Sequence, residues 1–161
     1  MNVRIGSGLD VHPFGEDAHR PLVLGGVIVP GAPGLAGHSD ADVVAHAVTD
    51  ALLGALAGGD LGSRFGVDDP QTAGADSIGL LRTVVGELQA EGWQVGNVDC
   101  TVVAQRPRLA GHREAMRGRL ATALDVAEDR VSVKFTTTDR LGSVGRGEGI
   151  ACWASVLVTR P

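Results

Sequence analysis

Asp10 and His12 lie two residues apart in an extended stretch, so both side chains leave the same face and can be offered to one ion. His46 shares a stripe with Asp42 and Asp50, at i, i+4 and i+8 of a helical run whose other positions are almost all Val, Ala and Leu. Two imidazoles and one carboxylate with a fourth position open form the usual donor set of catalytic zinc. The same spacing also suits a plainer arrangement, in which the stripe is the solvated side of an amphipathic helix and Asp10 and His12 end a strand in a loop.

Other stretches suit phosphate chemistry. Gly37, His38, Ser39 and Asp40 approach the N-terminus of the helix that carries His46, where amides, the helix dipole and two donating side chains favour anionic oxygens. An ordinary cap is the plainer reading. Thr136, Thr137, Thr138 and Asp139 place three hydroxyls and an acid at a strand end, able to hold a diphosphate and a hard divalent ion such as Mg²⁺ or Mn²⁺. Thr also favours strands for steric reasons alone. The glycine-rich turn from Leu141 to Gly149 matches no Walker or dinucleotide pattern, and Arg146 with Glu148 reads as a solvated pair. Asp60, Leu61 and Gly62 follow a Gly58-Gly59 stop, where an acid binds hydroxyls or opens a turn.

The elements that must position these residues follow from periodicity. Val3 to Val11 reads as a strand, and Leu22 to Leu24 with Val27 to Val29 flank Gly25 and Gly26 as a hairpin does. Ser39 with Asp42 resembles a capping box before a helix over Val43 to Leu56, and Ser77 opens a second helix that Gly92 ends. Trp93 to Gln105 reads as a strand with a bulge at Gly96, and Pro107 to Leu124 as a third helix. Strands over 131 to 136 and Ile150 to Thr159 complete the order. The expectation is an α+β fold: one domain over residues 1–161, with a mixed four- to five-stranded sheet covered on one face by helices.

Composition limits the function classes. The 161 residues include 24 glycines, against a usual share of about 7%. With 43% hydrophobic residues and no three-residue period, disorder and collagen are excluded. A net charge of −5 without a basic stripe argues against a nucleic-acid surface. No apolar run approaches the ~20 residues of a membrane span. Cys100 and Cys152 are too few for a disulfide scaffold and lack CxxC spacing, which points to the cytoplasm.

Taken in order, Asp10-Val11-His12, Gly37 to Asp42, His46 to Asp50, Gly59 to Gly62, Gly74 to Ser77, Gly96 to Asp99, Thr136 to Thr138 and Gly145 to Gly149 resemble the 2-C-methyl-D-erythritol 2,4-cyclodiphosphate synthase family over essentially the whole chain. The resemblance implies an enzyme of the non-mevalonate isoprenoid pathway. It would convert 4-diphosphocytidyl-2-C-methyl-D-erythritol 2-phosphate into the 2,4-cyclodiphosphate and CMP. A catalytically silent trimeric protein of the same fold, binding metal or isoprenoid diphosphate, is the rival reading. A fusion with the preceding cytidylyltransferase is excluded by length.

The resemblance also implies site residues. Zn²⁺ falls to Asp10, His12 and His46, and a Mg²⁺ or Mn²⁺ bridging the substrate diphosphate falls to Asp139. His38 and Thr137 take the catalytic charge-stabilising roles, with Ser39 beside them. Asp60, Leu61, Gly62, Phe65, Asp68 and Asp69 would surround the methylerythritol part. Ala104, Arg106, Pro107, Arg108, Leu109, Ala110 and Thr136 to Asp139 would form the cytidine and phosphate pocket. The family is a homotrimer with sites between subunits, and Ser143, Arg146 and Glu148 would lie near a threefold cavity open to isoprenoid diphosphate. Against the family pattern, Asp139 stands where Glu is usual, Arg108 where Lys is frequent, Ser143 where Phe is common, and Val67 supplies no carboxylate.

Overall fold

Alternation along Asn2–Pro13 (β1) divides its side chains between two environments. Gly6, Gly8, Asp10 and His12 face inward, while Val3, Ile5, Leu9 and Val11 remain at least half exposed on the other side. β1 pairs antiparallel with the last strand, Gly149–Arg160 (β6), which places Asp10 opposite Cys152 and Leu9 opposite Trp153. β6 also pairs antiparallel with Gln94–Val103 (β4), and β4 runs parallel to Val131–Thr136 (β5). The sheet order is β1-β6-β4-β5. Its register shifts between Val95 and Asn97, so Gly96 is the expected bulge. A separate hairpin joins Leu22–Leu24 (β2) to Val27–Val29 (β3) through Gly25 and Gly26, both at positive φ.

The computed structural model describes residues 1–66 and 74–161. Asp68 and Asp69, expected in the substrate wall, and Val67 lie outside the described residues. The fold is α+β, with a mixed four-stranded sheet as expected. Helices Val43–Ala55 (α1), Ser77–Ala90 (α3) and Arg113–Leu124 (α4) bury apolar faces in the core that the inward side of the sheet shares. Short helices Leu61–Phe65 (α2) and Gly142–Gly145 (α5) had no periodic signal to announce them. Among the described residues no helix is long and apolar enough to cross a membrane.

α1 rests directly on the backbone of β1. A Cβ at Gly8 would lie 2.0 Å from the carbonyl oxygen of Ala47, and one at Gly6 1.8 Å from that of Ala51. This close approach brings the His46 face of α1 down onto Asp10 and His12.

Two expectations need correcting. The cap of α1 is Asp42, not Ser39: its side chain accepts from the amides of Val44 and Ala45, both at 3.0 Å. The same carboxylate accepts from Gly25 N–H at 2.8 Å and Gly26 N–H at 2.6 Å, so it fastens the hairpin to the helix. α4 starts at Arg113 rather than Pro107, after a 3₁₀ turn over Ala110–His112. Pro107 suits a helix only in its first turn, and Gly111 in the next turn disfavours continuation.

Asp42 is fully buried, and burial pushes its carboxyl up to about 6 against the lowering bonds from Ala45, Gly26 and Gly25. Asp42→Ala would leave four amides without their acceptor. The expected loss is about 4 kcal/mol, combining a lost cap with buried donors left unmet. Denaturant melts compared with wild type check it; a midpoint within error of wild type would contradict this anchoring role.

Candidate active site

Asp10 and His12 project from the end of β1 and His46 from the second turn of α1. Asp10 Oδ2 lies 3.0 Å from His12 Nε2 and 3.0 Å from His46 Nδ1, and the two ring nitrogens are 3.2 Å apart. The three are a candidate metal-ligand group. Neither side of this triangle is a solvated helix face, since His46 is only 7% exposed and Asp42 is fully buried.

The remaining ring nitrogens fix the tautomers. His12 Nδ1 lies 2.7 Å from the carbonyl oxygen of Ala36, which can only accept, so Nδ1 carries a proton and, in the neutral ring, Nε2 faces the triangle as a lone pair. His46 Nε2 meets Ser77 Oγ at 2.9 Å and Ser39 Oγ at 3.0 Å. The Ser77 hydroxyl donates to Asp40 Oδ1, so its oxygen accepts from His46 Nε2–H and leaves Nδ1 as the second lone pair. Two lone pairs and a carboxylate aimed at one another need a proton or a cation between them. A tetrahedral zinc with bonds near 2.0 to 2.1 Å spaces its ligand atoms about 3.3 Å apart, close to the triangle seen. Gly37 leaves room for the ring of His12, because a Cβ there would lie 2.9 Å from Ala41 Cβ and 3.0 Å from His12 Cε1.

Charge acts within this cluster. Burial alone would raise the Asp10 carboxyl, but hydrogen bonds and attraction from His12 and His46 hold it well below the usual carboxylate range. The Asp10 hydrogen bond raises His12, against burial. The signs then follow from linkage. Asp10, depressed in the fold, stabilises it above pH 3.8 and loses this as pH falls; His12, raised, stabilises it below pH 6.5 and loses this as pH rises through its folded value. Without metal both contributions are complete between these two pH values. Zinc requires neutral imidazoles and releases protons on binding. The melting-temperature gain on adding zinc is therefore expected to grow from pH 5.5 to pH 8, as read by paired thermal melts. A gain independent of pH would remove His12 from the ligand set.

Beside the triangle opens a cavity of about 280 Å³. Asp10, His12, His38, Ser39 and His46 line it together with Asp50, Asp60, Leu61, Gly62 and Phe65. Asp60 is the N-cap of α2, closing a capping box with Ser63. Asp50 ties α2 to α1 by accepting from Leu61 N–H at 2.7 Å, and burial raises its carboxyl. The amides of residues 40–42 are already taken. Asp40 N–H is bonded to Ala75 O, Ala41 N–H to Ser39 Oγ and Asp42 N–H to Asp40 Oδ1. Residues 37–40 therefore lead into α1 without capping it, since the cap is Asp42, and His38 and Ser39 line the cavity.

A second cleft, of about 310 Å³, shares no lining residue with the first. It gathers Ala104, Pro107, Arg108, Leu109, Ala110, Thr136 and Thr137. Thr138 and Asp139 follow on the adjoining turn, where Asp139 N–H donates to Thr137 Oγ1 at 3.2 Å. Arg106 turns away, its guanidinium over the Phe14 ring and 3.4 Å from Gly147 O. Ser143 lies in α5 and Arg146 follows it, paired with Glu148 at 2.6 Å; neither lines either cleft. Gly66 and Gln105 fall within the expected 65–69 and 104–110 walls, whereas Asp50 and Leu80 in the first cavity and Phe135 in the second were not expected there. Periodicity places Phe135 on one face of a half-buried strand and Leu80 at helical spacing, but a period does not say which face borders a cavity.

The profile of the YgbB family matches residues 3–159. A 2-C-methyl-D-erythritol 2,4-cyclodiphosphate synthase of Stutzerimonas stutzeri is 55% identical over 159 residues, covering 99% of this chain and all of that protein. Among solved structures, an IspF of Plasmodium falciparum in complex with CDP is similar with a TM-score of 0.86 at 32% identity, covering 99% of this chain and 97% of that one. The bifunctional IspDF of Campylobacter jejuni is similar with a TM-score of 0.94 at 41% identity. This chain is covered over 99% of its length and spans 43% of that longer protein.

Proposed function

Because the chain belongs to the YgbB family of 2-C-methyl-D-erythritol 2,4-cyclodiphosphate synthases, we infer that it converts 4-diphosphocytidyl-2-C-methyl-D-erythritol 2-phosphate into the cyclic diphosphate and CMP. The observation that carries the site assignment is the Asp10, His12 and His46 triangle, in which the outer nitrogen of each imidazole is tied to Ala36 O or Ser77 Oγ and the inner one faces Asp10. An oxygen of the substrate's 2-phosphate attacks the β-phosphorus, the bond from that phosphorus to the bridging oxygen breaks, and CMP leaves with the bridging oxygen. The nucleophile belongs to the substrate, so the protein supplies position and charge rather than a covalent intermediate. Zinc on Asp10, His12 and His46, with Mg²⁺ or Mn²⁺ on Asp139, would draw charge from the diphosphate oxygens as it accumulates.

The chain's own groups do the rest. His38 and Ser39 line the metal-side cavity as donors toward phosphate, and Asp60, Leu61, Gly62 and Phe65 enclose the methylerythritol part. Thr137 and Arg108 stand in the second cleft as a hydroxyl donor and a fixed cation, which an acidic chain needs locally to hold an anionic substrate. Ala104, Leu109 and Ala110 give the cytidine an apolar seat.

The metal cavity and nucleotide cleft open separately on one chain, which supports a homotrimer in which one subunit's metal side meets its neighbour's nucleotide side. The outward face of the sheet supports it as well. Ile5 is 74% exposed and Trp153 55% exposed, beside Leu9 and Val11, an apolar strip that a neighbour would cover. The exposed Arg146 and Glu148 pair is where the resemblance places isoprenoid diphosphate, and buried free thiols at Cys100 and Cys152 fit the reducing cytoplasm.

Subunit mixing tests the shared site. His46→Ala and Thr137→Ala are each expected to be nearly inactive alone. In randomly mixed trimers about one quarter of the interfaces combine an intact metal side with an intact nucleotide side. Activity should recover to that fraction; mixtures as inactive as their parents would contradict sites shared between subunits.

A further inference from the structure

Asp139 and Arg140 are both left-handed, at φ +52° and +66°, though neither is glycine. Residues with side chains persist in that conformation only where their surroundings fix it. Bonds within the turn shape it. Asp139 N–H donates to Thr137 Oγ1 at 3.2 Å, Thr138 Oγ1 donates to Leu141 O at 2.6 Å, and Leu141 N–H donates to Thr138 O at 2.9 Å. Gly145 backs the turn closely, since a Cβ there would lie 2.2 Å from the carbonyl carbon of Arg140. These contacts do not reach the opposite wall of the nucleotide cleft.

Gln105 does. Its Oε1 accepts from Arg140 N–H at 3.2 Å, across 35 positions of sequence. The neighbouring Ala104 N–H donates to Thr136 O at 3.0 Å, so backbone and side chain clamp the two walls in succession. Gln105 itself lines the cleft between them.

We propose that Gln105 is a positioning residue: it holds the Thr137 to Arg140 turn against the 104–110 wall, so that the Thr137 hydroxyl is placed for the diphosphate of a bound cytidine nucleotide and the Asp139 carboxylate for the divalent cation that accompanies it. This rests on the assignment of that cleft to the nucleotide. Its consequence is selective. Loss of the clamp weakens contacts to the diphosphate and spares those to cytosine and ribose, which the 104–110 wall supplies. Gln105→Met keeps the length of the side chain and removes the acceptor, whereas Gln105→Glu keeps an acceptor oxygen in the same place.

Calorimetric titration of wild type and both variants with CDP and with cytidine, alongside the backbone amide resonance of Arg140, tests this. Gln105→Met is expected to bind CDP about tenfold more weakly, the size of one lost hydrogen bond, with cytidine within about twofold of wild type. Its Arg140 amide should move as its hydrogen bond is lost, while zinc content and melting temperature stay as in wild type. Gln105→Glu should return the amide toward its wild-type position and bind CDP more tightly than Gln105→Met. Gln105→Met that binds CDP as wild type does, or that loses CDP and cytidine equally, overturns the proposal. Wild-type protein that fails to bind CDP overturns instead the assignment of the cleft, and the proposal falls with it.

Discussion

Turnover is expected to fall about a thousandfold or more in His46→Ala, with the fold retained and zinc lost, because charge stabilisation at the reacting phosphate is the largest contribution such a site makes. The fold survives for local reasons. Ala is a better helix former than His, and α1 is held by its buried Val, Ala and Leu positions and by Asp42 at its N-cap. Ser77 keeps its bond to Asp40 when the ring is gone. The metal does not survive, because Asp10 and His12 alone leave two donors for an ion that takes three from the protein. Metal analysis and CMP release on the same preparation give the answer. Full zinc content in His46→Ala would remove it from the ligand set. Ser77→Ala should be milder, since the ligands remain and only the orientation of His46 loosens; a loss of about 10- to 100-fold in zinc affinity is expected.

Gly8→Ala is expected to cost about 3 kcal/mol or more and to lower zinc affinity with it. The added methyl would lie 2.0 Å from Ala47 O and 2.8 Å from Ala51 N, both backbone atoms of α1, so no rotamer change relieves it. The helix must lift from the strand, and His46, one residue before Ala47, lifts with it. Stability and metal binding therefore fail together, although Gly8 touches neither ligand nor substrate. Gly86→Ala, in the middle of α3 with open space around it, is the control of opposite sign. It should stabilise by up to about 1 kcal/mol through helix propensity alone and leave zinc binding unchanged. Thermal melts with and without zinc separate the two; a Gly8→Ala protein that melts and binds zinc as wild type does would show that the helix need not sit so close.

The pattern of residues carried much of this, within limits set by what periodicity encodes. Alternation placed Asp10 and His12 on one face of β1, and helical spacing placed His46 on a stripe of α1, so the donor types were legible before the fold was. Their convergence was not, because it depends on Gly6 and Gly8 letting α1 touch the backbone of β1, and a period carries no distance between elements. Asp42 was misplaced for a related reason. Its carboxylate caps α1 and also gathers the amides of Gly25 and Gly26, 17 and 16 residues away, a tertiary demand no local capping signature contains. α2 is a single turn closed by Asp60 and Ser63, too short for a hydrophobic period to show. Gln105 reads as a polar strand-end residue, and only the return of β5 beside β4 gives its amide oxygen a partner in Arg140.

Cyclisation is expected to depend on a metal held by Asp10, His12 and His46. The direct measurement is ³¹P NMR of 4-diphosphocytidyl-2-C-methyl-D-erythritol 2-phosphate with protein stripped of metal, then with zinc and Mg²⁺ restored. Stripped protein should leave the substrate unchanged, and restored protein should yield CMP and the cyclic diphosphate in equal amounts. Turnover by rigorously metal-free protein, or CMP released without the cyclic product, would contradict it.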